Sequence, residues 1–370
     1  MKKVLVVDDS AFMRKLISEM LSKHPLLEVI GTARNGKDAV AKVLELRPDV
    51  VTMDIEMPLM NGLEALKQIM VQRPTPVVML SSTTETGAEN TMIAMEYGAV
   101  DFVAKPGGAI SLNLHEVEQE IVRKVVAATN VKISNLVKQP KLQTKQVPKE
   151  ILFNKTITMS LSPSDKTDSL QHKKISIGQQ TFVIIGTSTG GPRALQEVLT
   201  RLPSDINAPI LIVQHMPPGF TKSLAQRLDG LSDIHVKEAE DGEPLLKGVA
   251  YIAPGGRHLK IEKCPTGYCA RLDDVDPPRA GHRPSVDVLL ESAASMRELK
   301  YITAIMTGMG QDGTKGMQQL KSACMTITIA ESDRTSVVYG MPKAIKEAGL
   351  ADQVVDVQCI AATITEILQS

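Results

Sequence analysis

Val4-Leu5-Val6-Val7-Asp8-Asp9 opens the chain with an apolar run that stops on two carboxylates. The pattern recurs downstream. Val50-Val51-Thr52-Met53 is followed by Asp54, Val77-Val78-Met79-Leu80 by Ser81, and Asp101-Phe102-Val103-Ala104 by Lys105. Short runs without polar alternation, each ending on a functional group, read as strands of a parallel sheet covered on both faces. A further strand is expected at Glu28–Thr32. Helix-period stretches separate them at Ala11–Ser22, Gly36–Leu46, Gly62–Gln72 and Gly87–Tyr97, and Leu114–Ala128 closes the series. Five strands alternating with five helices make residues 1–128 a (βα)5 unit. Functional residues of such sheets gather at the strands' carboxyl ends.

The alternation then stops. Val137 to Leu170 is rich in Lys, Gln, Ser, Thr and Pro and shows no sustained period, so residues 129–177 read as a flexible linker. It resumes over residues 178–370. Strands are expected at Phe182–Ile185, Ile210–Val213, Ile234–Lys237, Val249–Ile252, Ile302–Met306 and Met325–Ile329. Helices are expected at Pro192–Arg201, Gly219–Leu228, Ser285–Glu298, Gly313–Ser322 and Met341–Glu347, with a hairpin around Gly267. The second half is therefore a Rossmann-like, doubly wound α/β domain with a mostly parallel sheet.

Composition narrows the function classes. The 370 residues contain 42 Lys and Arg against 42 Asp and Glu, so no net field draws the chain to nucleic acid or to an anionic membrane. No apolar run approaches the roughly 20 residues of a membrane span. Met1-Lys2-Lys3-Val4 enters a strand directly, without a signal peptide, and the chain reads as cytoplasmic. Cys264, Cys269, Cys324 and Cys359 lack paired zinc spacing and are expected to be reduced, structural thiols. Cys264 and Cys269 flank a hairpin turn, which sets them across two strands.

Asp8, Asp9 and Asp54 all lie at strand ends that converge in a parallel sheet. Three crowded carboxylates repel one another unless a cation joins them. Magnesium favours such oxygen ligands, and a carboxylate can attack a phosphoryl group to give an acyl phosphate. Ser81 can donate to a phosphoryl oxygen, and Lys105 can pair with the phosphate. Taken singly, each strand-end group is better read as a solvated side chain; it is their succession over the strand ends that carries the reading. With Met-Asp54-Ile-Glu-Met-Pro58, Ser81-Ser82 and Phe102-Val-Ala-Lys105-Pro106, residues 1–128 resemble the receiver domain of two-component response regulators. The resemblance implies that Asp54 accepts phosphate from a histidine kinase. It implies magnesium held directly by Asp9 and Asp54, through water by Asp8, and by the backbone carbonyl of Glu56. Ser81 and Phe102 would be the pair that moves on phosphorylation.

In the second half, Gly186-Thr187-Ser188-Thr189-Gly190 fits G-x-S-x-G at a strand-to-helix turn. A phosphate-binding glycine loop and a plain tight connection are the competing readings. The next strand ends in Gln214-His215 and not in the acid that binds ribose, and G-x-G-x-x-G and G-x-x-x-x-G-K are both absent. A histidine near a serine suits acyl transfer. Asp312, in the glycine-rich run Met306–Gly313, is placed to orient that histidine. The order Ser188, His215, Asp312 is not that of α/β-hydrolases, so the motif does not imply their fold. Among other histidines, His235 reads as structural or exposed, while His258 and His282 sit in loops that can line the site. Arg283 and Asp287 can shape a cleft or cap the helix from Ser285.

Val-Gln-His215-Met-Pro217, Ile-Ala-Pro254-Gly, His-Arg-Pro284-Ser-Val-Asp287 and Thr-Gly308-Met-Gly-Gln-Asp312-Gly complete a resemblance to the catalytic domain of chemotaxis protein-glutamate methylesterases. It spans Phe182 to the C-terminus and departs mildly at Thr187, where alanine is common. The resemblance implies hydrolysis of glutamyl γ-methyl esters on chemoreceptor cytoplasmic domains, deamidation of specific receptor glutamines, and so chemotactic adaptation. Ser188 would be the nucleophile, His215 the base and Asp312 its orienter. The Met309 N–H with donors near Thr189 would form the oxyanion hole, and no cofactor is needed in this half. An unphosphorylated receiver would cover the cleft. The rivals are a nucleotide-binding second half and a DNA-binding regulator. The missing ribose acid and phosphate lysine speak against the first, and balanced charge with α/β alternation against the second.

Overall fold

The computed structural model describes residues 1–105, 114–133 and 180–370. The expected linker, 129–177, lies outside the described residues from 134 on, as does Pro106.

The N-terminal unit carries strands β1 (Lys2–Val7), β2 (Leu27–Ala33), β3 (Val50–Asp54), β4 (Val77–Ser81) and β5 (Asp101–Ala104). They alternate with helices α1 (Ala11–Ser22), α2 (Gly36–Leu46), α3 (Gly62–Gln72), α4 (Glu85–Glu96) and α5 (Leu114–Ala128). The sheet runs β2-β1-β3-β4-β5, parallel throughout. Buried positions such as Val4, Val6, Val51 and Met79 fill both faces, as uninterrupted apolar strands require. Four helices start on polar caps. Ser10, Asn35, Asn61 and Thr84 each accept a backbone N–H from the first turn, and Asn61 forms a capping box with Glu64.

The C-terminal unit is built on β6 (Thr181–Thr187), β7 (Ile210–Gln214), β8 (His235–Glu238), β9 (Val249–Ile252), β12 (Lys300–Ile305), β13 (Met325–Glu331) and β14 (Gln353–Val355). Its sheet runs β14-β13-β12-β6-β7-β9-β8, and every described pair in it is parallel. Helices α6 (Gly191–Leu199), α7 (Phe220–Asp229), α8 (Val286–Ala294), α9 (Thr314–Ala323), α10 (Met341–Glu347) and α11 (Val357–Gln369) cover it. The short β14 and α11 were not among the expected elements. Here α6, α7, α9 and α10 begin at Gly190, Gly219, Gly313 and Gly340, without a side-chain cap.

The strand orders locate two switch points. In the first sheet the winding reverses between β1 and β3, and in the second between β6 and β12. Crevices for ligands open at such points, beyond the strands' carboxyl ends.

The antiparallel hairpin β10 (His258–Cys264) and β11 (Gly267–Asp273) stands apart as a two-stranded sheet. The cysteine expectation is corrected here. Cys264 and Cys269 are joined in a disulfide, because the hairpin register brings their Cα atoms to 6.0 Å. Cys324 is free and buried, and Cys359 is free and exposed. Among the described residues, no helix is long and apolar enough to cross a membrane.

The two units pack together. One apolar cluster runs from Met79, Met92 and Phe102 of the first to Leu195, Phe220 and Leu224 of the second. Phe102 stacks on Phe220 with ring centroids 4.6 Å apart. Arg227 on α7 pairs with Glu96 on α4, and Lys132 pairs with Asp333.

Candidate active site and phosphorylation site

The first switch point gathers the acids. Asp8 and Asp9 follow β1, Asp54 ends β3 beside it, and Lys105 follows β5. Lys105 Nζ lies 2.8 Å from both Asp8 Oδ2 and Asp54 Oδ1. Carboxylate oxygens of Asp8, Asp9 and Asp54 come within 4.8 Å of one another, with Asp8 and Asp54 buried and Asp9 exposed. Burial pushes the Asp54 carboxyl up to about 6, against the opposing pull of Lys105, and the neighbouring Asp8 charge adds to the rise. Lys105 thus offsets only part of the cost of burying Asp54. Asp8 Oδ1 accepts from the Ser10 N–H, and Arg14 Nη1 donates to the carbonyls of Asp8 and Asp9. Glu56 is exposed, with its N–H 3.4 Å from Asp54 Oδ1.

Ser81 and Phe102 are both buried. The Ser81 hydroxyl donates to the Gly87 carbonyl at the start of α4, at 2.9 Å. Phe102 faces the second unit through its stack on Phe220.

At the second switch point, Ser188 follows β6. Its N–H donates to the Thr307 carbonyl beyond β12, and its own carbonyl accepts from the Gln214 side-chain amide and the Gly191 N–H. Gly190 has φ +78°, and a Cβ there would stand 2.6 Å from Val337 Cβ, so only glycine makes this turn. Gly308 brings the loop after β12 against Ser188, since a Cβ on it would meet Ser188 Cβ at 2.8 Å. The Gly308 N–H donates to the Val338 carbonyl, and its carbonyl accepts from the N–H groups of Gly340 and Met341, which pins the loop carrying Met309.

His215 follows β7, beside Ser188, and its Nε2 lies 2.8 Å from Asp312 Oδ2. Asp312 is saturated with donors. Oδ1 accepts from Ser285 Oγ and from the N–H groups of Asp287 and Gly313, and Oδ2 also accepts from the Val286 N–H at 2.7 Å. Burial alone would raise its carboxyl. The hydrogen bond and charge of His215, with the backbone donors, outweigh that and hold it well below the usual carboxylate range. An ionised Asp312 accepts a hydrogen bond from Nε2–H, which leaves the lone pair on Nδ1, a buried atom with no hydrogen-bond partner among the described residues. No hydrogen bond joins Ser188 Oγ to the imidazole among the described residues; such bonds are commonly long in a resting enzyme.

The structure sorts the other candidates. His282 stacks on His215, centroids 3.9 Å apart and planes within 7°. Its Nε2 accepts from Arg123 Nη1 of α5 at 3.0 Å. Burial, then the charges of His215 and Arg123, pull its imidazole down to about 3, so it stays neutral. His258 is not in a loop but opens β10, fully buried, with Nε2 against the Pro277 carbonyl. His235 is exposed and pairs with Asp229. Asp287 braces the aspartate loop by accepting from the N–H groups of Gly313 and Gly316, while Arg283 Nη1 donates to the carbonyls of Asp274 and Asp276. Thr189 Oγ1 donates to Asp101 Oδ2 of β5 at 2.5 Å, a bond across the two units. Asp101 also pairs with Lys124, whose Nζ donates to the Phe102 carbonyl.

Ser188 and His215 thus line a cavity of about 600 Å³ that also includes His282 and, from α5, Gln119, Glu120 and Arg123. Neither Arg123 nor Asp101 was legible as part of this site. A charged residue on an amphipathic helix carries no sign of which domain it will face.

Comparison with known proteins gives the family. The CheB methylesterase family matches residues 183–364 and the response regulator receiver domain family matches residues 4–115. A protein-glutamate methylesterase/protein-glutamine glutaminase of Geobacillus kaustophilus is 56% identical over 366 residues, covering 99% of this chain and 98% of that protein. The one of Bacillus subtilis is 48% identical over 369 residues, covering 100% and 99%. The solved catalytic domain of Thermotoga maritima CheB methylesterase is 45% identical and covers 52% of this chain and 100% of that one, with a TM-score of 0.49. With an acid cluster at one switch point and a serine, histidine and aspartate at the other, this chain belongs to the family of receiver-linked protein-glutamate methylesterases/protein-glutamine glutaminases.

Proposed function

We propose that the protein is a phosphorylation-activated hydrolase that removes methyl groups from glutamyl γ-methyl esters of chemoreceptors and deamidates specific receptor glutamines. It would do so in the cytoplasm, without inserting in a membrane or binding nucleic acid. The observation that carries the reading is the state of His215: Nε2 is fixed by Asp312 while Nδ1 is buried and open. Ser188 Oγ attacks the ester carbonyl and gives its proton to Nδ1. The Met309 N–H, with donors near Thr189, holds the oxyanion. The imidazolium protonates the departing methoxide to methanol or, with a glutamine, the departing amide nitrogen to ammonia. Water, deprotonated by the same nitrogen, then releases the glutamate and restores Ser188. The pinned Asp312 keeps the imidazole in the productive tautomer throughout.

The receiver, residues 1–128, takes a phosphoryl group on Asp54 from a histidine kinase. Magnesium fits the oxygen set there: Asp9 and Asp54 would hold it directly, the Glu56 carbonyl would complete the set, and Asp8 would act through water. Bound there, the ion would neutralise the negative charge that builds up as Asp54 is phosphorylated. Lys105, already between Asp8 and Asp54, pairs with the phosphate. Ser81 then turns its hydroxyl from Gly87 to the phosphoryl group and Phe102 shifts with it. That shift loosens the stack on Phe220 and the cover of α5 over Ser188, and the linker, residues 129–177, lets the receiver leave the domain of residues 178–370.

Methanol release from methylated receptor membranes, measured with and without a small acyl phosphate donor, tests the reading. Release that depends on Ser188 and rises with the donor is expected. Release that persists in Ser188→Ala overturns it.

A further inference from the structure

Behind the serine turn lies a buried carboxyl that the mechanism does not use. Glu331, the last residue of β13, is 1% exposed. Its Oε2 accepts from the Thr307 N–H at 2.7 Å, and its Oε1 accepts from Thr335 Oγ1 at 2.9 Å. A buried carboxyl is costly, and an apolar side chain is the cheaper filling unless fixed donors need an acceptor. Those donors are here, and one of them belongs to the residue that frames the active site.

Thr307 is the junction. Its carbonyl accepts from the Ser188 N–H at 3.0 Å. Its hydroxyl donates to the Thr189 carbonyl at 2.9 Å and accepts from the Val338 N–H at 3.0 Å. The next residues are Gly308, in contact range of Ser188, and Met309. A shift of Thr307 therefore moves the nucleophile and the proposed oxyanion donor together. The Thr307 N–H is held by Glu331.

We propose that Glu331 is a positioning residue for ester hydrolysis: its carboxyl fixes Thr307, and through Thr307 it sets the distance between the Ser188 turn and the Met309 loop. The inference rests on the serine-hydrolase reading above. What matters is an acceptor at the right reach, not the charge. Glutamine keeps that reach and presents its carbonyl to the Thr307 N–H, while Thr335 can accept from its amide. Aspartate keeps the charge but falls one methylene short. Thr335 and Ser336 belong to the segment whose Val337 joins the apolar cluster of Ile121, Val125 and Val131 in the receiver, so the same strut also meets the regulatory unit.

The test uses the full chain carrying Glu331→Gln, Glu331→Asp or Ser188→Ala, each checked for a cooperative thermal transition above the assay temperature. Methanol release from methylated receptor membranes is followed for kcat and KM. Glu331→Gln should stay within about threefold of the parent. Glu331→Asp should lose about 10-fold to 10²-fold in kcat with KM within about twofold, because a displacement well under 1 Å already misaligns reacting groups. A folded Glu331→Asp with parental kcat, or a loss confined to KM, overturns the proposal. So does a Glu331→Gln as impaired as Glu331→Asp, since charge and not reach would then matter. Failure of the underlying reading looks different: Ser188→Ala would still release methanol, whatever the Glu331 variants do.

Discussion

Asp54 and Asp312 are both buried aspartates at the carboxyl end of a parallel sheet, each at the point where the winding reverses, yet their proton affinities move in opposite directions. Asp54 is pushed up to about 6, first by burial, while Asp312 is held below the usual range. Burial acts on both. The difference lies in the donors. Asp54 has one lysine, shared with Asp8, and a long contact to the Glu56 N–H. Asp312 has an imidazole, a serine hydroxyl and three backbone N–H groups from Val286, Asp287 and Gly313. One carboxylate is left with few donors, and the other is immobilised by them, which suits the proposed roles of phosphoryl acceptor and orienter of a base. The helix starts repeat the contrast: polar side chains cap those of the receiver, while α6 and α9 in the second unit start on Gly190 and Gly313, which bring no side-chain cap of their own.

The comparison breaks most sharply at the two oxygens proposed to react. Asp54→Asn should abolish magnesium-dependent labelling by a radioactive acyl phosphate, and any retained label would move the phosphorylation site elsewhere. Ser188→Ala should cut methanol release by on the order of 10⁴-fold with the fold intact. Next comes the orienting carboxylate. Asp312→Asn should lower kcat by on the order of 10³-fold to 10⁴-fold, because the amide can stabilise the wrong imidazole tautomer. If that variant is nearly silent while His258→Ala or His282→Ala is dead, the triad is misassigned.

Smaller effects probe the contact between the units. Arg123→Ala removes the receiver's hydrogen bond to His282 and should raise the unphosphorylated rate by up to about tenfold, the worth of one charge-assisted bond across the docked interface. An unchanged basal rate would mean that α5 lies over the cleft without restraining it. The smallest effect concerns Glu331. Burial pushes its carboxyl from an ordinary 4.5 up to about 7. A folded-state value above the unfolded one contributes stability that is complete below about 4.5 and is lost as pH rises through about 7. Glu331→Gln has no such dependence, so its melting temperature should gain a few degrees on the parent between pH 5 and pH 8. A constant difference would place the raised proton affinity elsewhere.

Much of this was legible in the chain. The helices Ala11–Ser22, Gly36–Leu46 and Gly62–Gln72 and the strand Asp101–Ala104 begin and end where their periodicity places them. Their limits are set locally, by Ser10, Asn35 and Asn61 as caps. The β14–α11 tail was missed, because three residues of strand carry too little pattern to register. The disulfide was missed as well. Composition argued for reduced thiols, while the pairing follows from a hairpin register that composition does not report.

The sequence by itself determined the two α/β units, the acids at the first set of strand ends, and the serine, histidine and aspartate at the second. Those features are written in apolar runs and in the residues that end them. Only the tertiary structure decided which imidazole nitrogen Asp312 takes, that His282 stacks on His215, and that Arg123 and Asp101 reach from the receiver into the hydrolytic site. It alone brought Glu331 under Thr307. Each of these joins residues far apart in the chain through donor and acceptor geometry. Local propensity fixes an element and its exposed face, but it carries no information about which distant group will meet that face once the sheets are stacked.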